Sequence, residues 1–314
     1  MKYPVSALAS ALALAFATFS AQAADNSVTT SQKGDNNSAY AEQHDVKGAK
    51  AVISQVGEGN KAGDAKNPGI YQAKSQDVEA QISQKGKENS ATIRQENSFK
   101  ASAQVSQTGE QNVGTIRQDD VKKSKASLSQ DGKKNAATIE QQKVSDSEVI
   151  AKQSGSDNKL AVKQLESSHA KAFIDQNGAQ NSATVAQTKV DFGEVNIKQS
   201  GNSNNAKAIQ KDAQYVGSTI NQSGTDNNAF TEQSGKKNFS TINQKGNKNL
   251  ATLTQSGIGN ESLISQNGYD NKASVNQYGT GGKVNYSSIS QTGNNYIANV
   301  TQHGSGNVSG IVQH

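Results

Sequence analysis

Cysteine is absent from all 314 residues, so neither disulfides nor thiolate metal sites can hold this chain together. Tryptophan is also missing, aromatic residues make up 5%, and the mean hydropathy is −0.77. A chain so poor in apolar surface has the composition of a disordered tract, because burial cannot offset the entropy of ordering. Proline occurs only at Pro4 and Pro68, which leaves long stretches free of ladder-breaking residues. No apolar run is long enough to cross a bilayer comfortably. The four histidines, His44, His169, His303 and His314, share no spacing with one another or with a carboxylate column and read as surface residues. With no thiol, no nucleophile-elbow sequence and no inward acid, nothing is available for general acid–base or nucleophilic chemistry. Neither an enzyme nor a cofactor or metal is expected.

What the chain does have is a repeat that overrides its composition. QxGxxN, followed two residues later by a small residue and four after that by Gln, recurs sixteen times between Gln32 and Gln313. Glycine holds in every copy and asparagine in fourteen. The motif returns every 23 residues from Gln84 through Gln107 and Gln130 to Gln222, then every 11 through Gln244, Gln255, Gln266 and Gln277. A single unit explains both spacings: a coil of 22–23 residues with two short strands and two bends, carrying the full motif at one bend in front and at both behind. The expected fold is all-β, a two-strands-per-turn β-solenoid of about 12 coils with successive repeats stacked in parallel, cross-β fashion. At the interstrand rise the rod is roughly 60 Å long.

Within each half-coil the residues alternate as in a half-buried strand. Ala91, Ile93 and Gln95 point one way, as do Ala103, Val105 and Gln107, or Ala251, Leu253 and Gln255, with Thr92 and Arg94 between them pointing out. No charge occupies an inward position; Arg94, Arg117, Glu140, Lys163 and Glu232 all fall on outward ones, and a one-residue slip would bury them. Small, apolar and Gln positions two apart exclude an amphipathic helix. At the bends, glycine supplies backbone angles closed to other residues, and asparagine is expected to tolerate the left-handed region and to bond its own backbone. Stacked coils then bring Gln onto Gln and Asn onto Asn, so that Gln84, Gly86, Asn89, Gln95, Gln107, Gly109, Asn112, Gln118, Gln244, Gly246, Asn249, Gln255, Gln266 and Gln313 form structural ladders that serve assembly. Interruptions of the period between Ala62 and Tyr71, and around Thr280 to Lys283, fall at or near bends.

Residues 1–23 read as a secretory signal, with Lys2 ahead of an apolar stretch and Ala21-Gln22-Ala23 as the cleavage site. The mature chain divides into a section of 23-residue coils, 24–221, and a continuous section of paired 11-residue motifs, 222–314. A formal charge of +5 is a mild excess. Lysines such as Lys122, Lys123, Lys133 and Lys134 cluster at bends among acids, which reads as solvated charge opposing lateral sticking rather than as a nucleic-acid stripe. Gly57-Glu-Gly59-Asn-Lys-Ala62 matches a dinucleotide fingerprint only because the repeat gains a second Gly there by chance.

At Gln84, Gly86, Asn89, Ala91 and Gln95 the repeat resembles, position by position, that of the curli subunits, secreted bacterial proteins that polymerise into extracellular functional amyloid. The rear section, as at Gln244-Lys-Gly246-Asn-Lys-Asn249, is more similar to the minor, nucleating subunit. Over twice the usual number of repeats are present, and Val78 and Ala101 stand where that family carries Ser. The resemblance implies a structural subunit of a curli-like fibre, placed outside the cell after passage through the periplasm, with roles in biofilm matrix, adhesion and surface attachment. Its implied partners are further copies of itself, other curli-like subunits and a secretion pore; no specific nucleic acid and no transmembrane segment are expected. The alternative is a monomeric secreted solenoid that binds a surface, a carbohydrate or ice, raised by an outward column of Thr92, Thr115, Thr138, Thr184, Thr241 and Thr252. Bare strands at both ends, Val28 to Gln32 and Ser309 to Gln313, favour the polymer.

Overall fold

Alternation along the chain becomes alternation of burial. In strand Ser90–Glu96 the side chains of Ala91, Ile93 and Gln95 are buried and Arg94 is exposed, and strand Ser102–Glu110 buries Ala103, Val105 and Gln107 in the same phase. The computed structural model describes residues 26–64 and 66–314, so the signal-like segment 1–23 lies outside the described residues. The described chain is all-β and winds into a parallel β-solenoid of about 12 coils. One set of strands stacks as Ser27–Lys33, Lys50–Glu58, Glu79–Lys87 and Ser102–Glu110. The facing set stacks as Ser90–Glu96, Val113–Asp119 and Ala136–Gln142.

Equivalent positions stack in register, Ile93 on Ile116 on Ile139 and Gln95 on Gln118 on Gln141. A narrow main core of Ala, Val, Ile and Leu therefore runs the length of the rod. Its buried polar members are Gln, Asn, Ser and Thr, with no charge among the described residues.

The two spacings have a simple origin. Between Gln107 and the next strand lies a five-residue arc, Thr108 to Asn112, which reverses the chain with Gly109 (φ 107°) and Gln111 (φ 56°) in the left-handed region. Between Gln95 and its next strand lies a six-residue arc, Glu96 to Ala101, reversed by Asn97 (φ 49°) and Lys100 (φ 52°). One arc of each kind gives the 23-residue coil. In the rear the short arc Ser234 to Asn238 replaces the long arc Lys211 to Val216 beneath it, the register shifts by one, and the coil shortens to 22.

The long arc encloses a second, smaller core that the period did not reveal. Val78, Ala101, Val121 and Val144 pack beneath it. Its two inward positions trade bulk from coil to coil, Ser75 with Val78 but Val121 with Ser124 and Val144 with Ser147. The serines are used as acceptors by the following coil: Ser98, Ser147 and Ala170 donate their backbone N–H to Ser75, Ser124 and Ser147 Oγ, each at 3.1 Å.

Of the two interruptions of the period, both expected at or near bends, the first is a loop that leaves from the middle of a strand, between the positions paired with Ser90 and Ile93 of strand Ser90–Glu96, and only the second lies at an arc. Registers step from Lys61↔Ser90 to Ile70↔Ile93, and Pro68 sits in the loop between, bridged to Gly63. The second steps from Ile258↔Thr280 to Asn260↔Asn285.

The outward threonines belong to two faces. Thr92, Thr115, Thr138, Thr184 and Thr252 lie on one, while Thr241 stacks between Thr219 and Leu263 on the other. The single column expected of them does not exist, because strands of the two faces share the same alternation and cannot be told apart by phase. No helix among the described residues is long and apolar enough to cross a membrane.

Candidate functional site

Every repeat glutamine sits at the end of its strand, just inside an arc, and there two unbroken columns form. In the first, Gln84 Nε2 donates to Gln107 Oε1 at 2.9 Å and Gln107 to Gln130 at 2.8 Å; further along, Gln244 donates to Gln266 at 2.9 Å and Gln291 to Gln313 at 2.8 Å. In the second, Gln95 donates to Gln118 and Gln118 to Gln141, both at 2.8 Å, and Gln255 to Gln277 at 2.9 Å. The second hydrogen of nearly every interior amide crosses the core to the facing strand, as from Gln107 to Ser90 O at 2.9 Å or Gln255 to Phe239 O at 2.9 Å, and that of Gln164 stays in its own arc on Ala170 O. Both Nε2 hydrogens are thus used, which removes a desolvation penalty of about 1–3 kcal/mol for each group that would otherwise be left unpaired. All interior members are buried.

Asparagine has a different task from the one expected of it. The interior motif asparagines are fully buried, and none is left-handed; the left-handed residue is the one before, as Glu88 before Asn89, Gln111 before Asn112 and Lys248 before Asn249. Asn112 Nδ2 donates to Asn89 Oδ1 at 3.0 Å, to Thr108 O at 3.1 Å and to Gly132 O at 2.9 Å, while its backbone N–H also reaches Asn89 Oδ1 at 3.1 Å. One side chain closes its own arc and fastens it to the coils on both sides. Asn249 repeats the pattern with Asn227, Lys245 and Gly268. A second asparagine column, Asn238 to Asn260 to Asn285 to Asn307, starts where the short arc takes over the other bend.

The two kinds of column have opposite polarity. Glutamines donate toward the C-terminal neighbour and asparagines toward the N-terminal one.

Glycine serves both conformation and contact. Gly86 and Gly109 have φ of 119° and 107°, and a Cβ on Gly86 would lie 2.1 Å from the Gly109 carbonyl oxygen, with Gly246 and Gly268 in the same relation. Gly59, taken from sequence as a chance addition, occupies the left-handed position before Asn60 that polar residues such as Glu88, Gln111 and Ser203 fill in other coils. Tyr296 stands in place of an asparagine, keeps the backbone bond to Asn271 Oδ1 at 3.0 Å, and folds its ring over Gly293.

Outside the columns the exposed groups form short axial series. Glu58 pairs with Lys87 at 2.8 Å and Glu110 with Lys133 at 3.2 Å, all at one arc position. The hydrogen bond and charge of Lys87 hold the Glu58 carboxyl below its ordinary range. His169 stacks on Phe192 at 4.3 Å and Phe192 on Tyr215 at 5.0 Å. His169 Nδ1 also lies 3.5 Å from Asp191, a carboxylate one coil away that sequence spacing had not linked to it. Among the described residues no group of three or more His, Asp or Glu comes together as a metal site would require.

The geometry defines a parallel β-solenoid whose coils are joined by internal amide columns, a class built for axial stacking. The Curlin associated repeat family model matches residues 23–63, 219–246 and 246–279. The coils between the first and second of these segments continue the same ladders in register. Comparison with curated proteins gives no match.

Proposed function

We propose that the chain is the structural subunit of a curli-like extracellular fibre, acting in biofilm matrix, adhesion and surface attachment, and assembling by axial stacking of its solenoid. The observation that carries this reading is the state of the outermost strands of the two faces. Among the described residues no element covers the outer edge of Ser27–Lys33, Ser38–Ala39 or Ala41–His44 at one end, or of Ile297–Gly304 or Val308–Gln313 at the other, whereas the strands stacked between them are paired on both sides. Bare parallel edges recruit further strands, and a contact between unlike ends does not close, so it propagates as a filament. The three matched curlin-repeat segments support the same reading. Gln84, Gly86, Asn89, Gln95, Gln107, Gly109, Asn112, Gln118, Gln244, Gly246, Asn249, Gln255, Gln266 and Gln313 are its assembly residues, since the columns they form are what a second copy would extend.

The test is the behaviour of the purified chain lacking residues 1–23. It is expected to convert after a lag into unbranched fibrils with a reflection near 4.8 Å along the fibre, the interstrand spacing. Persistent monomer by light scattering at tens of micromolar over days would overturn the assignment and favour a solenoid that binds a surface as a monomer.

A further inference from the structure

On one flank of the rod, several departures from the repeat meet in the same place. The second left-handed position of the long arc is held in earlier coils by Lys100, Lys123 and Asp146, but in the last two long arcs by Phe192 and Tyr215, both at φ 54°. A bulky ring in that conformation is strained, and such outliers cluster at sites where function holds them. His169, Phe192 and Tyr215 stack along the axis. The stack stops at Tyr215, where the short arc takes over: the register shifts between Lys211 and Ala213, and Tyr215 and Val216 have no paired residue in the coil above.

Gly217 is the second departure. In its outward column Lys171, Glu194, Gly217, Phe239 and Glu261 follow one another, and Gly217 alone has no side chain. Its backbone is not left-handed, so conformation does not call for glycine there. A Cβ at this position would lie 3.0 Å from Phe239 Cδ1, so what the glycine admits is the Phe239 ring, leaning over it from the coil above. Phe192, Tyr215 and Phe239 all remain about half exposed, at 44%, 46% and 50%. With Gly217 they line a cleft of about 390 Å³ on the flank of the rod.

The polar lining converges on the same space through Glu194, Asn196, Thr219 and Thr241. Asn196 Nδ2 donates to Glu194 Oε1 at 2.7 Å, which steadies the carboxylate and leaves its second oxygen and Asn196 Oδ1 as acceptors. Rings beside acceptors and hydroxyls suit a ligand with an apolar face and a hydroxylated edge, which is the build of a pyranose. Among the described residues Glu194 is the one charged group of the lining, and it disfavours an acidic sugar. We infer that this cleft binds a neutral pyranose, as one or two units of a polysaccharide chain. The site goes beyond the fibre reading and does not depend on it, since none of its residues belongs to the outermost strands.

Tyr215→Gly is the most direct variant, because glycine takes a left-handed position without strain and the arc should fold as before. The folded chain lacking residues 1–23 is titrated by calorimetry with cellopentaose and chitopentaose, both neutral, and with the pentamer of galacturonic acid. At least one neutral pentamer is expected to bind, and the acidic one to bind about ten-fold or more weaker. Tyr215→Gly, and Gly217→Leu, which fills the cleft, should each weaken the neutral pentamer about ten-fold or more. Tyr269→Ser, at an exposed tyrosine outside the cleft, should leave its binding unchanged. No binding of either neutral pentamer at about 10 mM would overturn the site, as would undiminished binding by a Tyr215→Gly chain whose circular dichroism shows it folded. Equal or tighter binding of the acidic pentamer would overturn the ligand class. Fibril formation, followed in the same samples, keeps the two readings apart: fibrils that bind no neutral pentamer refute the cleft alone, and a chain that binds one yet stays monomeric refutes the fibre alone.

Discussion

Gly132 and Gly155 approach so closely that a Cβ on Gly132 would lie 2.0 Å from the Gly155 carbonyl oxygen. The contact couples backbone conformation to stacking, because φ of +119° at Gly132 is what brings the two coils to this distance. Gly132→Ala therefore meets both a disfavoured conformation and a clash with backbone that cannot swing aside. A loss of about 3 kcal/mol or more is expected in denaturant unfolding of the assembled protein. The neighbouring Lys133→Ala, on the exposed side of the same arc, should change stability by under about 0.5 kcal/mol.

Interior glutamine should be far less replaceable than its outward neighbour. Gln118→Leu strands Gln95 Nε2 and Gln141 Oε1 in the core, at about 1–3 kcal/mol for each group, so a combined loss of about 2–6 kcal/mol and slower fibril growth are expected. Arg117→Leu, one residue away and exposed, should leave the growth rate within two-fold. Equal rates for the two variants would mean that the columns do not limit assembly.

Ser240 offers the opposite case. Its Oγ is buried without a hydrogen-bond partner, whereas Ser218 bonds Thr231 at 2.6 Å and Ser287 bonds Ser262 at 2.8 Å in the same inward series. Ser240→Ala removes an unsatisfied hydroxyl and should stabilise by about 1 kcal/mol. An upward shift of the unfolding midpoint without change of slope is the measurement; Ser287→Ala should shift it the other way.

Acid should loosen the front arcs before the rear ones. Glu58 is held below its ordinary range by the hydrogen bond and charge of Lys87, so its contribution is complete above that range and disappears as pH falls through its own lowered value. Lys87 is raised by the same pair, and its share is lost only at strongly alkaline pH. Both groups are exposed and the effect is small. Between residues 222 and 314 only Asp226, Glu232, Glu261 and Asp270 are acidic, and the amide columns do not titrate. Hydrogen exchange at about pH 2, corrected for intrinsic rates, should show faster opening at arcs 57–60 and 86–89 and unchanged protection around Asn249 and Asn271.

The strand phase and the inward set were legible because a two-residue period and one-sided charge act along the sequence itself: Gln95, Ile93 and Ala91 could be placed inside before any coil was built. The long arc was not legible. Its second left-handed position is filled by Lys100, Lys123, Asp146, His169, Phe192 and Tyr215 in turn, so no residue type announces it. Backbone conformation there is imposed by stacking, as Lys123 N–H on Phe99 O at 2.9 Å illustrates, and not by local preference. The asparagine role was misread for a related reason. Propensity places Asn in the left-handed region, whereas a full set of buried partners for its amide outweighs that preference here and gives the strained position to the residue before it.

The loop between Ala62 and Ile70 lengthens one coil, so that Gln55 and Gln84 are 29 residues apart, yet their amides still meet at 2.8 Å, the same distance as Gln107 and Gln130 at a separation of 23. Length added even at an outward position within a strand is thus invisible to the axis. The scaffold can accept foreign peptide sideways at such points without changing its rise, and a filament of it would display the graft once per subunit at fixed intervals. Sequence drift is free to accumulate outward from the coils, at a strand's outer face or at a bend, while the columns keep the count.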